Sequence, residues 1–312
     1  MDFSALFLTI ASVLLATALI GALLIRRRLS IDHFQRAYQA SYPPTAIIQW
    51  LSRPNQRPLK ALIYKPTDWQ PKDRRPLVAL FFGGGWRWGS LWQFAPMAAK
   101  LQAQGAVVIL PEYRIKSRDQ TGILEAIEDS LAFRDYLAAS IHTLGIDPER
   151  IILGGGSAGG HLALWSTIGH LPQAPNASKT PLDVAALLLF NPAVNFSQDL
   201  KAAADYSLRQ KFAARTLAKQ MRFDPMAYLS HDHPDALILH GDADQLIPVD
   251  KILGYGAALE SHGVNAQIKI YPGRGHAFFN LTRSQADFID TYQSTLAFLN
   301  ERNLLPTPKV VS

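Results

Sequence analysis

The sequence predicts an α/β fold built on a mostly parallel sheet covered by helices. Three observations lead there. Unbroken apolar runs of strand length recur, as in Leu77–Phe82, Ala106–Leu110 and Val184–Phe190, and strands buried on both faces read as continuous apolar runs. Segments of helical period stand between those runs, an order that yields parallel strands joined by crossover helices. The stretch Ile151–Gly160, Ile-Ile-Leu-Gly-Gly-Gly-Ser-Ala-Gly-Gly, reads as the end of a buried strand, a tight turn with Ser157 at its tip, and the start of a helix.

The elements follow in order. Phe3–Ile25 is apolar or small throughout and is closed by Arg26-Arg27-Arg28. That length suffices to span a bilayer. A secretory signal would carry its positive charge before the apolar run rather than after it. The segment is therefore expected to be a retained anchor, residues 1–28, with the catalytic domain cytoplasmic by the positive-inside tendency; an uncleaved export signal is the competing reading. Residues 29–58 are expected to be linker and first strand. Ala46–Leu51 and Ala61–Tyr64 read as two short strands flanking a turn-like Arg53–Pro58. Leu91–Gln104 and Ile123–Leu144 have helical spacing, and Asp147–Arg150 reads as a turn into the central strand. Asn195–Ser230 is polar and helical, a candidate cap insertion. Ala236–His240 is a strand, Val249–His262 a helix, Ala266–Tyr271 a strand and Arg283–Asn300 the last helix. The main domain is expected to cover 59–303, with 304–312 as a tail.

Composition narrows the classes of function. The chain has 312 residues and no cysteine, which removes disulfides, thiolate metal sites and a cysteine nucleophile. The net charge of +6 is concentrated in residues 26–75, where eleven Lys and Arg stand against three Asp. A basic block just after an apolar terminus fits attraction to anionic lipid better than a nucleic-acid groove. No nucleic-acid partner and no metal site are expected.

Chemistry concentrates in four loops, each following a strand, where open α/β sheets collect reactive residues. Gly155-Gly156-Ser157-Ala158-Gly159 is a G-x-S-x-G pattern in strand–turn–helix context, the setting of a nucleophile elbow. A glycine-rich turn that binds phosphate at a helix start is the competing reading, but no P-loop Lys is present. Backbone amides of Gly84 and Gly85, in Gly83-Gly84-Gly85-Trp86, are placed to converge with that of Ala158 on a developing oxyanion. Asp244 lies just past the Ala236–His240 strand and His276 in the loop after Ala266–Tyr271. The order Ser, Asp, His suits a Ser nucleophile, a His base and an Asp that orients the His. Asp242 and Asp250 compete for the acid role. His240 and His161 read as structural or packing residues, and Asp129 and Arg134 as salt-bridge or capping residues. Trp86, Trp88, Phe196, Tyr206, Phe212, Phe223 and Phe279 are candidates for an acyl pocket as well as for core.

Taken together, Gly83-Gly84-Gly85-Trp86, Tyr113-Arg114, Gly145–Ile151, Gly155–His161, His240-Gly241 with Asp244 and Pro248, and Gly275-His276 resemble the esterase/lipase branch of the α/β-hydrolase superfamily. The likeness is greatest to hormone-sensitive-lipase-like carboxylesterases and to acetylxylan and feruloyl esterases, and covers roughly residues 60–300. It implies an α/β-hydrolase fold, a Ser nucleophile, an acyl-enzyme intermediate, no cofactor and a small-molecule ester substrate. Arylformamidases and dipeptidyl-peptidase-like enzymes share the pattern, so an amidase or peptidase activity stays open, as does a non-catalytic binding module. Two positions depart from the family. Phe82 stands where a His usually precedes the glycines, which bears on the stability of that loop, and Glu112 stands where Asp is common. Oligomeric state is not legible.

Overall fold

The computed structural model describes residues 34–170, 181–195 and 223–306. The chain divides into two compact units at Pro43 and Pro44. The described part of the first is a helix over 34–41, where Phe34, Tyr38 and Tyr42 recur every fourth residue and their rings meet at 4.3 and 5.4 Å.

The second unit carries the sheet. Its strands are β1 Ala46–Leu51, β2 Leu59–Tyr64, β3 Arg75–Phe81, β4 Val107–Pro111, β5 Ile146–Gly156, β6 Ala186–Phe190, β7 Asp235–Gly241 and β8 Ala266–Tyr271. They form one eight-stranded sheet in the order β1-β2-β4-β3-β5-β6-β7-β8. The β1–β2 and β2–β4 pairings are antiparallel; the others are parallel. β4, β6 and all of β3 after Arg75 are buried, as their unbroken apolar sequences require.

Strand order positions the site. After β3 the chain moves to β4 on one side, then returns to β5 on the other. The loops leaving β3 and β5 therefore diverge, and a crevice opens at this switch point, beyond the carboxyl ends of both strands. The loop after β3 is Phe82–Gly89 and the turn after β5 holds Ser157.

The helices of this unit longer than one turn are α1 Ala95–Ala103, α2 Ile123–Ser140, α3 Ala158–Ile168, α4 Val249–Ser261 and α5 Gln285–Glu301. α2 and α3 pack against one another, while α1 and α5 meet through Lys100 Nζ, 4.9 Å from the centre of the Tyr292 ring. The expected helix 91–104 starts as a 3-10 turn, Leu91–Phe94, before α1 begins. Pro96 lies in the first turn of α1, where its missing N–H leaves no intrahelical bond unmade.

Asp147–Arg150, expected as a turn, is drawn into β5 as an irregularity. The β3 partners jump from Ile146 to Ile151 while β3 advances only from Arg75 to Leu77. Asp147 is pinned there by Arg74 at 2.7 Å and Arg150 at 2.9 Å. β5 also runs further than expected, through Gly156. Bare backbone is needed at its end. A Cβ on Gly155 would come within 2.5 Å of the Phe81 carbonyl oxygen, and one on Gly154 within 2.9 Å of Leu188 Cβ.

One expectation is corrected. Among the described residues no helix is long and apolar enough to cross a membrane. A span needs about 20 consecutive, mostly apolar residues. The longest described helix, α2, has 18 residues and carries Glu125, Glu128, Asp129, Arg134 and Asp135. The apolar run 3–25 falls outside the described residues. The N-terminal transmembrane helix is therefore withdrawn from the fold class, and with it the membrane partner and the cytoplasmic placement of the domain. The α/β architecture stands. Most of the expected cap insertion, 196–222, also lies outside the described residues.

Candidate active site

The turn at Ser157 is strained and crowded. Ser157 has φ 53° and ψ −117° at the N-terminal boundary of α3, a region costly for any residue with a Cβ. Its amide donates to the Phe190 carbonyl at 2.8 Å, and its carbonyl accepts from Ala193 N at 3.1 Å and His161 N at 3.2 Å. The chain folds so tightly that a Cβ on Gly159 would collide with the Phe81 carbonyl oxygen, and one on Gly83 would sit 2.7 Å from the Gly156 oxygen. Glycines here let the loop after β3 and the elbow approach backbone to backbone.

His276 Nε2 lies 3.0 Å from Ser157 Oγ, and His276 Nδ1 lies 2.7 Å from Asp244 Oδ2. A carboxylate only accepts, so Nδ1 carries the proton and Nε2 accepts from the serine hydroxyl. Asp244 is fully buried. Its Oδ1 accepts the amides of Leu246 at 2.8 Å and Ile247 at 2.9 Å, and its Oδ2 also accepts Asn191 Nδ2 at 3.3 Å. Burial pushes the Asp244 pKa up, but the hydrogen bond and charge of His276, the Ile247 amide and His240 together hold it below the ordinary carboxylate value. The group is ionised at neutral pH.

The competing residues have other contacts. Asp242 Oδ1 accepts Gly273 N at 2.7 Å, which braces the His276 loop from beneath. Asp250 sits in the first turn of α4. His240 is buried at the end of β7; its Nε2–H donates to the Ile247 carbonyl at 2.9 Å, and burial lowers its pKa. Asp129, fully buried, pairs with Arg53 at 2.6 Å and with Arg114 at 2.9 Å. Arg134 Nη1 donates to the Ser166 and Thr167 carbonyls at the C-terminal end of α3, the end that favours a cation. Among the described residues no group of three or more His, Cys, Asp or Glu is placed to hold a metal ion.

The loop after β3 takes unusual backbone angles, with φ 139° at Gly84, 63° at Gly85 and 57° at Trp86. The Gly84 carbonyl accepts Trp88 N at 3.1 Å. Phe82 stands in a well-braced place. Its ring stacks on Tyr113 at 4.2 Å and 16°, and its carbonyl accepts Tyr113 Oη at 2.8 Å. Gly83 N donates to Gln93 Oε1 at 2.6 Å, and the Trp86 carbonyl accepts Lys116 N at 3.0 Å. Ring packing, one amide side chain and two backbone contacts thus hold a loop that lacks the family's histidine. Glu112 is tied to Arg57 at 2.7 Å and to Lys60 N at 3.0 Å.

Of the pocket candidates, Trp86 is buried with its ring edge-on to His161 at 5.1 Å, and Trp88 is half-buried. Phe279 is buried against Phe94 at 5.6 Å and Phe190 at 5.1 Å. Phe196, Tyr206 and Phe212 lie outside the described residues. Phe223 lies in the core, and its carbonyl accepts both His161 Nε2–H at 2.7 Å and Trp165 Nε1–H at 3.1 Å.

Burial drives the His161 pKa down to about 4, against a smaller upward pull from the Phe223 carbonyl. The folded protein keeps this ring neutral, while the unfolded chain protonates it near the ordinary 6.5. Between those values the unfolded state binds more protons, so stability is full above the window and falls as pH drops through it, by up to about 1.4 kcal/mol per pH unit. Urea unfolding at pH 7.5 and pH 5 is expected to show a smaller acid loss in His161→Gln than in the wild type. Equal losses would show that His161 does not titrate in this window.

Sequence reasoning missed Asn191, just beyond β6, whose side chain reaches Asp244, His240 and the backbone beside His276. The only available signal was a polar residue at the carboxyl end of a wholly apolar strand. Gln93 was missed for the same reason: its role is visible only when the β3 loop folds over it.

Comparison with known proteins bears on the fold and the family. The chain matches the BD-FAE family over residues 62–253, and residues 225–302 match the dienelactone hydrolase family. It superposes on the esterase Est2 of Thermogutta terrifontis, in its butyrate-bound form, with a TM-score of 0.75, 30% identity, and coverage of 86% of this chain and 97% of that one. The probable carboxylic ester hydrolase LipM of Mycobacterium tuberculosis is 28% identical over 72% of this chain and 54% of its own length. A Gibberella moniliformis esterase is 23% identical over 86% of this chain and 82% of its own. The chain spans about half the length of several curated relatives it matches, among them a probable isoprenylcysteine alpha-carbonyl methylesterase of Oryza sativa at 54%. The chain belongs to the BD-FAE family, within the esterase/lipase branch of the α/β-hydrolase superfamily.

Proposed function

We propose that this protein hydrolyses short-acyl carboxylic esters with Ser157 as nucleophile, His276 as general base and acid, and Asp244 as the group that orients His276. The observation that carries this is the unbroken hydrogen-bonded line from Ser157 Oγ through His276 to Asp244, at 3.0 and 2.7 Å. His276 Nε2 takes the serine proton as Oγ attacks the ester carbonyl, and Asp244 stabilises the imidazolium that forms. The carbonyl oxygen becomes an oxyanion, which the amides of Gly84, Gly85 and Ala158 receive. His276 then passes its proton to the departing alkoxide, leaving an acyl-Ser157. Water, deprotonated by the same His276, hydrolyses that ester and restores the serine.

The short acyl group is suggested by the Thermogutta esterase, whose structures include propionate-bound and butyrate-bound forms. The test is a series of p-nitrophenyl esters from acetate to decanoate, run on the full chain with formanilides and dipeptide amides beside it. Highest kcat/KM is expected at the short end of the ester series. A rate no higher than that of Ser157→Ala on every ester would reject ester hydrolysis, and selective turnover of the amides would replace it with an amidase. Turnover highest on decanoate would overturn the short-acyl assignment alone.

A further inference from the structure

Three loops must be held in register for a hydrogen-bonded line such as this to form: the elbow after β5, the Asp244 loop after β7 and the His276 loop after β8. They come from separate strands, and the partners they join lie far apart in sequence. The carboxyl end of β6 touches all three. The Phe190 carbonyl accepts the Ser157 amide at 2.8 Å. The next residue, Asn191, reaches the other two loops with one side chain. Its Nδ2 lies 3.3 Å from Asp244 Oδ2 and 3.2 Å from His240 Nδ1, and its Oδ1 lies 3.3 Å from Ala277 N.

We infer that Asn191 is a positioning residue for the reaction, using its planar amide to lock the Asp244 carboxylate and the backbone of the His276 loop into one fixed geometry. The inference rests on the assignment of Ser157, His276 and Asp244 made above.

The chemistry of the partners sets the orientation of the amide. Ala277 N–H needs an acceptor, so the oxygen faces it. Asp244 is an acceptor, so the NH₂ faces it. His240 has its Nε2–H committed to the Ile247 carbonyl, which leaves Nδ1 to accept the second amide hydrogen. Each of the two hydrogens and the oxygen thus has a partner, and Asn191 is fully buried. Ala277 has φ 64°, a strained conformation in the residue next to His276 that needs something to hold it. Asn191 itself has φ 45°, an angle that Asn tolerates better than other residues with a side chain. A carboxylate here would have no hydrogen to give, and an aliphatic side chain would take the contact away from His240 Nδ1 and Ala277 N and one of two side-chain donors from Asp244 Oδ2.

The amide also affects proton affinity. By donating to Asp244 Oδ2 it draws electron density from the oxygen that holds His276 Nδ1–H. Removing the donor makes that oxygen a stronger acceptor and favours protonated His276. The titratable groups around this point are Asp244, His276 and His240. Asp242 accepts Gly273 N, and Arg274 is paired with Asp287 at 2.8 Å.

The experiment measures kcat, KM and the pH dependence of kcat/KM on p-nitrophenyl butyrate for the wild type, Asn191→Asp and Asn191→Ser, with Ser157→Ala as the baseline. In both Asn191 variants we expect kcat about tenfold lower, KM within about twofold, and the acid limb of kcat/KM displaced upward, by more in Asp than in Ser. The Asp variant keeps the size of the side chain and the Ser variant adds no charge, so a folding defect in one leaves the other informative; circular dichroism identifies the folded protein. A folded variant with wild-type kcat and an unmoved acid limb overturns the inference. So does a loss confined to KM, or a lower kcat with no displacement of the acid limb, because a merely structural role would behave that way. If the wild type turns over no faster than Ser157→Ala, the assignment of Ser157 falls and Asn191 falls with it. A clear wild-type rate beside wild-type-like Asn191 variants removes only the present inference.

Discussion

Ser157→Ala is expected to lower kcat on p-nitrophenyl butyrate by about 10⁴–10⁶-fold, with little change in stability. The substitution deletes one oxygen and nothing else that the turn depends on. The amide and carbonyl of residue 157 make the contacts to Phe190, Ala193 and His161, and alanine keeps all of them. Alanine also keeps the Cβ, so the strain of φ 53° is unchanged. What disappears is the only side-chain atom at the turn that can attack, 3.0 Å from His276 Nε2. Some rate above water is expected to persist, because the amides of Gly84, Gly85 and Ala158 remain. Mass spectrometry after a fluorophosphonate probe gives an independent readout. Wild type should gain one adduct on the tryptic peptide that contains residue 157, and the variant none. An adduct elsewhere, or an active alanine variant, would show that another nucleophile does the work.

The second large effect is expected at Asp244, with Asp242 as its control. Asp244→Asn should lower kcat by about 10³–10⁴-fold, and Asp242→Asn by only a few-fold. The substitution at 244 is nearly isosteric. Its oxygen is expected to stay with the amides of Leu246 and Ile247, at 2.8 and 2.9 Å from Oδ1, which turns the new NH₂ toward His276 Nδ1. Two donors would then face each other across 2.7 Å. The imidazole relieves this by moving its proton to Nε2, and in that tautomer it cannot accept a proton from Ser157. At 242 the requirement differs. Oδ1 only accepts the Gly273 amide at 2.7 Å, and an amide oxygen does the same. Kinetics of the two variants, each confirmed folded, decide the assignment. Similar losses at both positions, or a larger one at 242, would reject Asp244 as the orienting acid.

Much of this architecture was legible along the chain. The parallel core strands had to be continuous apolar runs because both faces are covered. The elbow had to be glycine-rich because β3 and α3 meet at backbone distance, where a Cβ on Gly159 collides with Phe81. Errors fell where through-space contacts override local pattern. Asp147–Arg150 has the composition of a turn, yet two arginines draw it into the edge of β5. Phe82 looked like a weakness in the loop after β3, because the braces that hold that loop, Tyr113 and Gln93, lie 31 and 10 residues away. An apolar run suggested a membrane helix; that run lies outside the described residues, and among those no helix is long and apolar enough to cross a bilayer.

Strand hydrophobicity, helical period and small residues at a tight turn are local properties, so the class of fold and the types of reactive residue in their order could be read along the chain. Tertiary structure alone decided which carboxylate meets His276, that Ser157 and His276 lie within hydrogen-bonding distance across 119 residues, and that Asn191 ties the acid loop to the histidine loop. The reason is geometric. Hydrogen bonds form over a range of about 2.7–3.2 Å, and whether two side chains on separate loops fall within it depends on strand order and register, which no stretch of the chain carries alone.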